Sequence, residues 1–135
     1  MNILRIYSGL SAIALAEFSD IVVDADILLL TTGDPQKLRI HLVDGSFLDV
    51  FVSVTGRYSY HWERRFTLSS EIFRHDNAPH KRWSHIKTFP KHFHYEREEN
   101  VIESFISDDP LEAVREALGF VRQRLHEEPR SRSGE

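Results

Sequence analysis

Two runs of alternating apolar residues on either side of an Asp-Gly pair constrain the fold of this chain more than any other feature. Apolar and polar residues alternate over 38–42, and they alternate again over 48–54. A period of two is typical of a strand with one buried face. The intervening Asp44-Gly45 suits the positive φ angles of a tight connection. The sequence therefore predicts an antiparallel hairpin centred on residues 44–45.

Further strands follow on both sides of this hairpin. Residues 26–32 predict a mostly buried strand, and Arg57–Arg64 predict another with alternating aromatic residues on one face. Residues 67–75 are expected to pair back onto that strand, and 92–97 to form a last, short one. Residues 76–91 are polar and contain two prolines, which favours a long loop.

Helices are predicted at both ends of the chain. Residues 10–18 are rich in Ala and Leu and predict a short helix. Near the other end, Asp109-Pro110 followed by Glu112 resembles an N-cap with a capping box. Apolar residues then recur at spacings of three and four, which predicts one buried stripe. The members of this stripe are Leu111, Val114, Leu118, Val121 and Leu125.

The order of these elements predicts one α+β domain. We expect an antiparallel β-sheet meander with a short N-terminal helix and a C-terminal amphipathic helix packed on one face. A length of 135 residues suits a single domain, here assigned to 1–128, with a polar tail over 129–135. The chain has no cysteine, no apolar run that would span a bilayer and no signal-peptide pattern, so a cytoplasmic location without membrane association is expected.

Charge is distributed unevenly along the chain. The total is −4, but residues 57–97 hold nine basic and four acidic residues and carry +5. The rest of the chain carries −9. The positive stretch also contains six of the eight histidines and nine of the fifteen aromatic residues. This asymmetry points to an anionic partner for the middle of the chain.

Three short clusters within that stretch contain the residues most suited to chemistry: 58–62, 74–80 and 89–94. In an extended strand, His92 and His94 lie on the same face. Two adjacent imidazoles suit acid–base catalysis, and they equally suit a metal ion with His80 or Asp76 as a further ligand. A histidine-rich surface loop without chemistry is the third interpretation.

Neighbouring residues favour a functional interpretation. Arg74 and Lys91 have the charge to neutralise a phosphate. Three aromatic side chains, Tyr60, Trp62 and Phe93, are candidates to stack on unpaired bases. Aromatic residues that alternate along a strand are, however, more often part of the core. The segment after Asp76 has an equally plain interpretation as a turn in which this carboxylate accepts backbone N–H groups.

The same clusters resemble the TumE family. The resemblance rests on Tyr58-Ser59-Tyr60-His61-Trp62, on Arg74-x-Asp76-Asn77-Ala78-Pro79-His80, and on Thr88-Phe89-Pro90 before the later histidines. Members of this family are small proteins encoded beside helix-turn-helix antitoxins, and they are regarded as the toxins of these pairs. This chain departs from the family pattern at Lys81 and Lys91, which replace histidines, and at Phe93, which replaces a lysine.

The resemblance and the residues together predict a toxin that acts on RNA. We interpret the chain as a metal-independent endoribonuclease without a cofactor, with RNA and a helix-turn-helix antitoxin as partners and with a homodimer left open. The predicted catalytic residues are His61, Arg74, Asp76, His80, His92 and His94, and the predicted substrate-binding residues are Arg57, Tyr60 and Lys91. The alternative is a non-enzymatic RNA- or protein-binding module. Its histidines would be structural, or His80, His92 and His94 would bind zinc or another divalent metal.

Overall fold

The predicted hairpin forms part of a seven-stranded antiparallel sheet in which spatial order follows chain order. The structure is a computed structural model that describes residues 2–128. Its elements are α1 (Ile3–Glu17), β1 (Val22–Leu29), β2 (Pro35–Leu42), β3 (Phe47–Val52), β4 (Tyr58–Glu63), β5 (Ile72–Asp76), a 3₁₀ turn (Lys81–Trp83), β6 (His92–Glu96), β7 (Val101–Glu103) and α2 (Pro110–Glu127). The predicted α+β class and meander are confirmed. The predicted tail over 129–135 lies outside the described residues.

The hairpin has the register that the alternation predicts. Leu38 lies opposite Val50, and Ile40 lies opposite Leu48. Gly45 takes a φ of +88°, a conformation that costs glycine little and other residues more. The predicted second strand, over 48–54, is too long at its end. Strand β3 stops at Val52, and the next residues turn toward Gly56.

Both helices pack on one face of the sheet and form the hydrophobic core there. Phe120 of α2 contacts the rings of Trp62, Phe73 and Phe93. Tyr7 of α1 is fully buried in the same core. The alternate residues of each central strand therefore face helices, and the polar residues between them face the opposite side of the sheet. Neither helix within residues 2–128 combines the length and apolar character needed to cross a membrane.

The helix ends differ from prediction in their capping. Helix α1 begins at Ile3 rather than at residue 10, because the Asn2 side chain accepts the backbone N–H of Arg5 at 3.1 Å. At α2, Asp109 is the N-cap residue but its side chain makes no capping hydrogen bond. The predicted capping box is therefore wrong, and Glu112 pairs with Arg115 instead.

The outer strands also differ from prediction. Strand β1 starts at Val22, and four of its eight residues are exposed, Leu29 at 58%. It is an edge strand that pairs only with β2 among residues 2–128. The strand predicted to be last, β6, is followed by the short strand β7. The loop before β6 is irregular as expected, apart from the 3₁₀ turn at Lys81–Trp83.

Replacing Tyr7 by phenylalanine is expected to lower the free energy of unfolding by about 1–3 kcal/mol. The Tyr7 hydroxyl accepts the backbone N–H of Val52 at 3.1 Å, and phenylalanine would leave this buried donor without a partner. Urea denaturation of wild type and variant measures the loss. The control is Tyr58→Phe, since the Tyr58 hydroxyl lies 3.5 Å from Asp108, whose side chain is mostly exposed. An equal loss in both variants would contradict the explanation.

Candidate functional site

The register of β4, β5 and β6 brings the predicted site residues together on the sheet face opposite the helices. His61 lies opposite Arg74, and Arg74 lies opposite His94. One pair further along, Asp76 lies opposite His92. The His92 and His94 rings have centroids 5.0 Å apart. The prediction that these two histidines share a face is confirmed, and the middle and later clusters meet in space.

The loop between β5 and β6 covers these histidines. Trp83 lies with its ring centroid 6.1 Å from that of His92 and 5.8 Å from that of His94. Asn77 holds the start of the loop, because its side chain accepts the N–H of Tyr58 and donates to the carbonyl of Gly56. As a result His92 is only 1% exposed and His94 only 3%.

Arg74 connects four side chains of the site. Its Nε donates to Asp76 Oδ2 at 3.0 Å, and its Nη2 donates to His94 Nε2 at 3.2 Å. Its Nη1 lies 3.3 Å from both His61 Nδ1 and Glu98 Oε2. Every nitrogen of this guanidinium is therefore engaged. Arg74 is placed to organise the site, and it has little donor capacity left for a ligand.

Backbone carbonyls orient both buried imidazoles. Nδ1 of His92 lies 2.8 Å from the carbonyl oxygen of Pro90, and Nδ1 of His94 lies 2.6 Å from that of Glu98. A carbonyl only accepts, so each Nδ1 carries the proton and each Nε2 of the neutral ring keeps its lone pair. Nε2 of His94 accepts from Arg74. Nε2 of His92 is buried and has no hydrogen-bond partner in the described structure, although Asp76 Oδ1 lies 3.1 Å away.

Burial and Arg74 set the charges of this cluster. Burial lowers the pKa of His94 and of His61, and the charge of Arg74 acts in the same direction. Burial would raise the pKa of Glu98, but the hydrogen bond and charge of Arg74 outweigh it and lower that pKa. At neutral pH the site therefore contains neutral His61 and His94 beside an ionised Glu98 and a charged Arg74.

A cleft of about 490 Å³ opens beside the two buried imidazoles. Arg57 and Arg82 line it, and no carboxylate within residues 2–128 pairs with either. The Arg82 guanidinium stacks on Trp83, 4.6 Å from the ring centroid. Asp76 is the single acidic residue that residues 2–128 contribute to the lining. The other members are Phe51, Tyr58, Ser59, Arg74, Ala78, His80, Trp83, His92 and His94. The cleft is suited to an anion that carries an aromatic group.

Three predicted site residues lie elsewhere. Tyr60 faces the helices and is 2% exposed, so its ring cannot stack on a ligand in the cleft. Lys91 donates its Nζ to the carbonyl of Ile106 at 2.5 Å and lies 3.4 Å from Asp108. His61 borders the cleft from outside its lining, with Nε2 on Glu63 at 3.1 Å and Nδ1 on Arg74.

Sequence reasoning missed Arg82, Trp83 and Glu98 as parts of the site. Arg82 and Trp83 lie in the irregular loop, where no periodicity indicates which side chains turn inward. Glu98 belongs to the β6–β7 turn, where no alternation of apolar and polar residues indicates which side chains face the site. The predicted aromatic Phe93 is buried and stacks on His75, with centroids 3.8 Å apart.

A pH titration is expected to show that the free energy of unfolding falls between pH 6.5 and pH 4. Burial of His75 and the nearby charge of Lys91 lower the pKa of His75 to about 4 against 6.5 in the unfolded chain, although Asp76 acts in the opposite direction. The unfolded state therefore binds more protons in this interval. His75 alone accounts for about 3 kcal/mol of unfolding free energy, which is lost as the pH falls from 6.5 to below 4.

The variant His75→Phe keeps a ring against Phe93 and removes the titration. At pH 7 the variant is expected to be less stable than wild type, because Ser104 loses its hydrogen bond to the His75 ring. On acidification the variant should lose less stability than wild type does. His61 and His94, whose pKa values are also lowered, keep part of the slope in the variant. Urea denaturation at several pH values checks this, and identical slopes would exclude His75 as the cause.

Fold and cleft together define a small α+β protein with a basic, histidine-lined site on the open face of a meander sheet. The family model described as "Toxin TumE" matches residues 11–125. The match covers most of the 135 residues, and the chain therefore belongs to the TumE family of toxins. A toxin of this kind indicates an antitoxin partner. No curated protein and no solved structure gives a significant match.

Proposed function

We propose that this toxin cleaves RNA as a metal-independent endoribonuclease that uses histidine as its acid and base. The observation that carries the proposal is Nε2 of His92, which is buried and has no hydrogen-bond partner among residues 2–128. His92 lines a cleft together with Arg57 and Arg82, which no carboxylate in that range neutralises. Unpaired arginines suit phosphate, and an imidazole lone pair suits a proton at neutral pH. Trp83 offers a stacking surface for a base beside that phosphate.

In the proposed reaction, His92 is the base. Its Nε2 takes the proton of a ribose 2′-hydroxyl, and the 2′-oxygen attacks the adjacent phosphorus. The bond from phosphorus to the 5′-oxygen breaks, which leaves a 2′,3′-cyclic phosphate. Asp76 Oδ1, 3.1 Å from Nε2 of His92, stabilises the imidazolium that forms.

His80 is our candidate for the acid. It is exposed, it lines the cleft, and its imidazole makes no hydrogen bond within residues 2–128. When protonated, it would deliver a proton to the leaving 5′-oxygen. Arg57 and Arg82 would stabilise the charge on the phosphoryl oxygens. Arg74, His94 and His61 act as positioning residues, since their polar atoms already bind one another or neighbouring groups.

The test is cleavage of a labelled single-stranded RNA by EDTA-treated protein without a His tag. We expect products with 2′,3′-cyclic phosphate ends and no cleavage where a 2′-deoxynucleotide replaces the attacked ribose. A rate that rises and then falls with pH would fit one neutral and one protonated histidine. Cleavage that requires added metal would overturn the mechanism.

The competing function is a non-enzymatic binding module, as the same arginines would also hold an uncleaved anion. In that case growth arrest would survive His92→Asn and disappear in the double variant Arg57→Glu, Arg82→Glu.

The cognate antitoxin is proposed to be a helix-turn-helix protein, which would dock on the negatively charged part of the chain outside residues 57–97. Light scattering would measure separately whether the toxin forms a homodimer.

A further inference from the structure

We propose that Asp76, His92 and His94 bind one Zn²⁺ ion, and that this ion inhibits the toxin. The site consists of one carboxylate and two imidazoles, a donor set typical of zinc. The binding site itself follows from the geometry alone. Inhibition rests in addition on the proposed role of His92 as the base.

The two imidazoles are oriented as metal ligands usually are. A histidine that binds a metal through one ring nitrogen commonly donates the other N–H to a carbonyl or a carboxylate. Here the carbonyls of Pro90 and Glu98 accept from the Nδ1 atoms of His92 and His94. Both rings consequently present an Nε2 lone pair, and neither needs to change tautomer to bind an ion.

The donor atoms also converge. One atom each from Asp76, His92 and His94 can be chosen so that all lie within 4.8 Å of one another. All three residues are buried, and Nε2 of His92 has no hydrogen-bond partner in the described structure. A buried nitrogen with an unused lone pair normally costs free energy, and a metal ion would remove that cost. The cleft leaves room for water to complete the coordination.

Arg74 is the competitor for this site. Its guanidinium donates to Nε2 of His94 and to Oδ2 of Asp76, which are two of the lone pairs that zinc would need. Glu98 already pairs with Arg74, with Oε1 2.8 Å from Nη2, and this ion pair can remain when the ion takes the other two partners of the guanidinium. Zinc and Arg74 therefore exclude each other at His94, and removal of Arg74 should strengthen zinc binding.

Inhibition follows from the donor atoms involved. A zinc ion bound to Nε2 of His92 takes the lone pair that would accept the proton of the 2′-hydroxyl. The toxin would then be active when free zinc is scarce and inactive when the site is filled. Binding of the ion is reversible, because the ion enters and leaves through the open cleft.

The experiment titrates tag-free, full-length protein with ZnCl₂ by calorimetry and, in parallel, with Co²⁺ by visible absorption. We expect one ion per chain and a Co²⁺ spectrum of low coordination number. His92→Asn and Asp76→Asn should weaken binding by about 100-fold or more. Arg74→Gln should tighten it by about tenfold, because a positive charge beside the ion is removed. A gain in affinity cannot arise from misfolding.

Two histidine variants serve as controls. His85→Ala removes an exposed imidazole of the same loop and should leave zinc affinity unchanged, as should His80→Ala if the ligand set is the one proposed. A loss of binding in His80→Ala would overturn this ligand set. If wild type binds no zinc at micromolar concentration, the proposed zinc site is wrong, and the proposed ribonuclease activity is not affected by that result.

RNA cleavage at the zinc concentrations that fill the site tests the inhibition. We expect the activity of wild type to fall in parallel with occupancy, and EDTA to restore it. Stimulation of cleavage by zinc would overturn the inference together with the metal-independent mechanism. If the protein binds zinc but never cleaves RNA, the proposed function and the proposed inhibition by zinc are both wrong, and only the zinc site is supported.

Discussion

Replacement of His92 by asparagine is expected to lower the rate of RNA cleavage by about 10²–10⁴-fold and to abolish growth arrest. The asparagine amide can still donate to the carbonyl of Pro90, as Nδ1 of His92 does at 2.8 Å. It has no group at the position of Nε2 that accepts a proton at neutral pH. Asparagine therefore removes the proposed base while it retains the anchoring hydrogen bond.

Initial rates on a labelled RNA, with urea denaturation in parallel, measure this effect. His92 is almost fully buried, so a larger truncation such as His92→Ala would mix lost chemistry with lost stability. His85→Ala is the matched control, since this histidine is exposed in the same loop and does not line the cleft. A folded His92→Asn protein that retains more than a tenth of the wild-type rate would exclude His92 as the base.

The second large effect is expected at Arg64, whose replacement by methionine should cost about 3–5 kcal/mol of unfolding free energy. Arg64 is 1% exposed and contacts three carboxylates. The distances are 3.0 Å to Asp44, 3.1 Å to Glu71 and 2.6 Å to Glu128. Without the guanidinium, the three carboxylates would lose the positive charge that all of them contact, and Glu71 would keep only Arg124 as an ion-pair partner among residues 2–128.

The position of Arg64 explains why the loss should be global. Its partners belong to the β2–β3 turn, to the segment before β5 and to the end of α2, so this one side chain holds α2 to the sheet. The matched control is Arg115→Met, whose ion pair with Glu17 is exposed and screened by water, so that its loss should change the free energy of unfolding little. Equal losses in the two variants would refute the argument.

The fold was largely predictable because it is built from local signals. Alternation over 38–54 and the glycine turns determine the hairpin, and consecutive strands then pair in order. Strand β1 was misjudged because the apolar run Ile27–Leu30 looks the same whether it lies at the centre or at the edge of a sheet. The start of α1 was missed because its signal is the single cap residue Asn2.

The site was predictable where it depends on the alternation of side chains between the two faces of a strand. This alternation puts His92 and His94 on one face, and the same rule puts Lys91 and Phe93 on the other, away from the site. The orientation of Trp83 and the bonds to the Pro90 and Glu98 carbonyls arise in irregular segments. Such contacts follow from tertiary packing, and no local pattern encodes them.

The order of the strands has a consequence for synthesis of the toxin. Each strand pairs with the one made just before it, so the sheet can assemble as the chain leaves the ribosome. Helix α2, which is made after the whole sheet, covers the aromatic face and pairs with α1 through Arg115 and Glu17, 98 residues apart. A chain that stops before α2 would expose Trp62 and Phe73 to water. Incomplete translation products should therefore aggregate or be degraded before they can poison the cell that makes them.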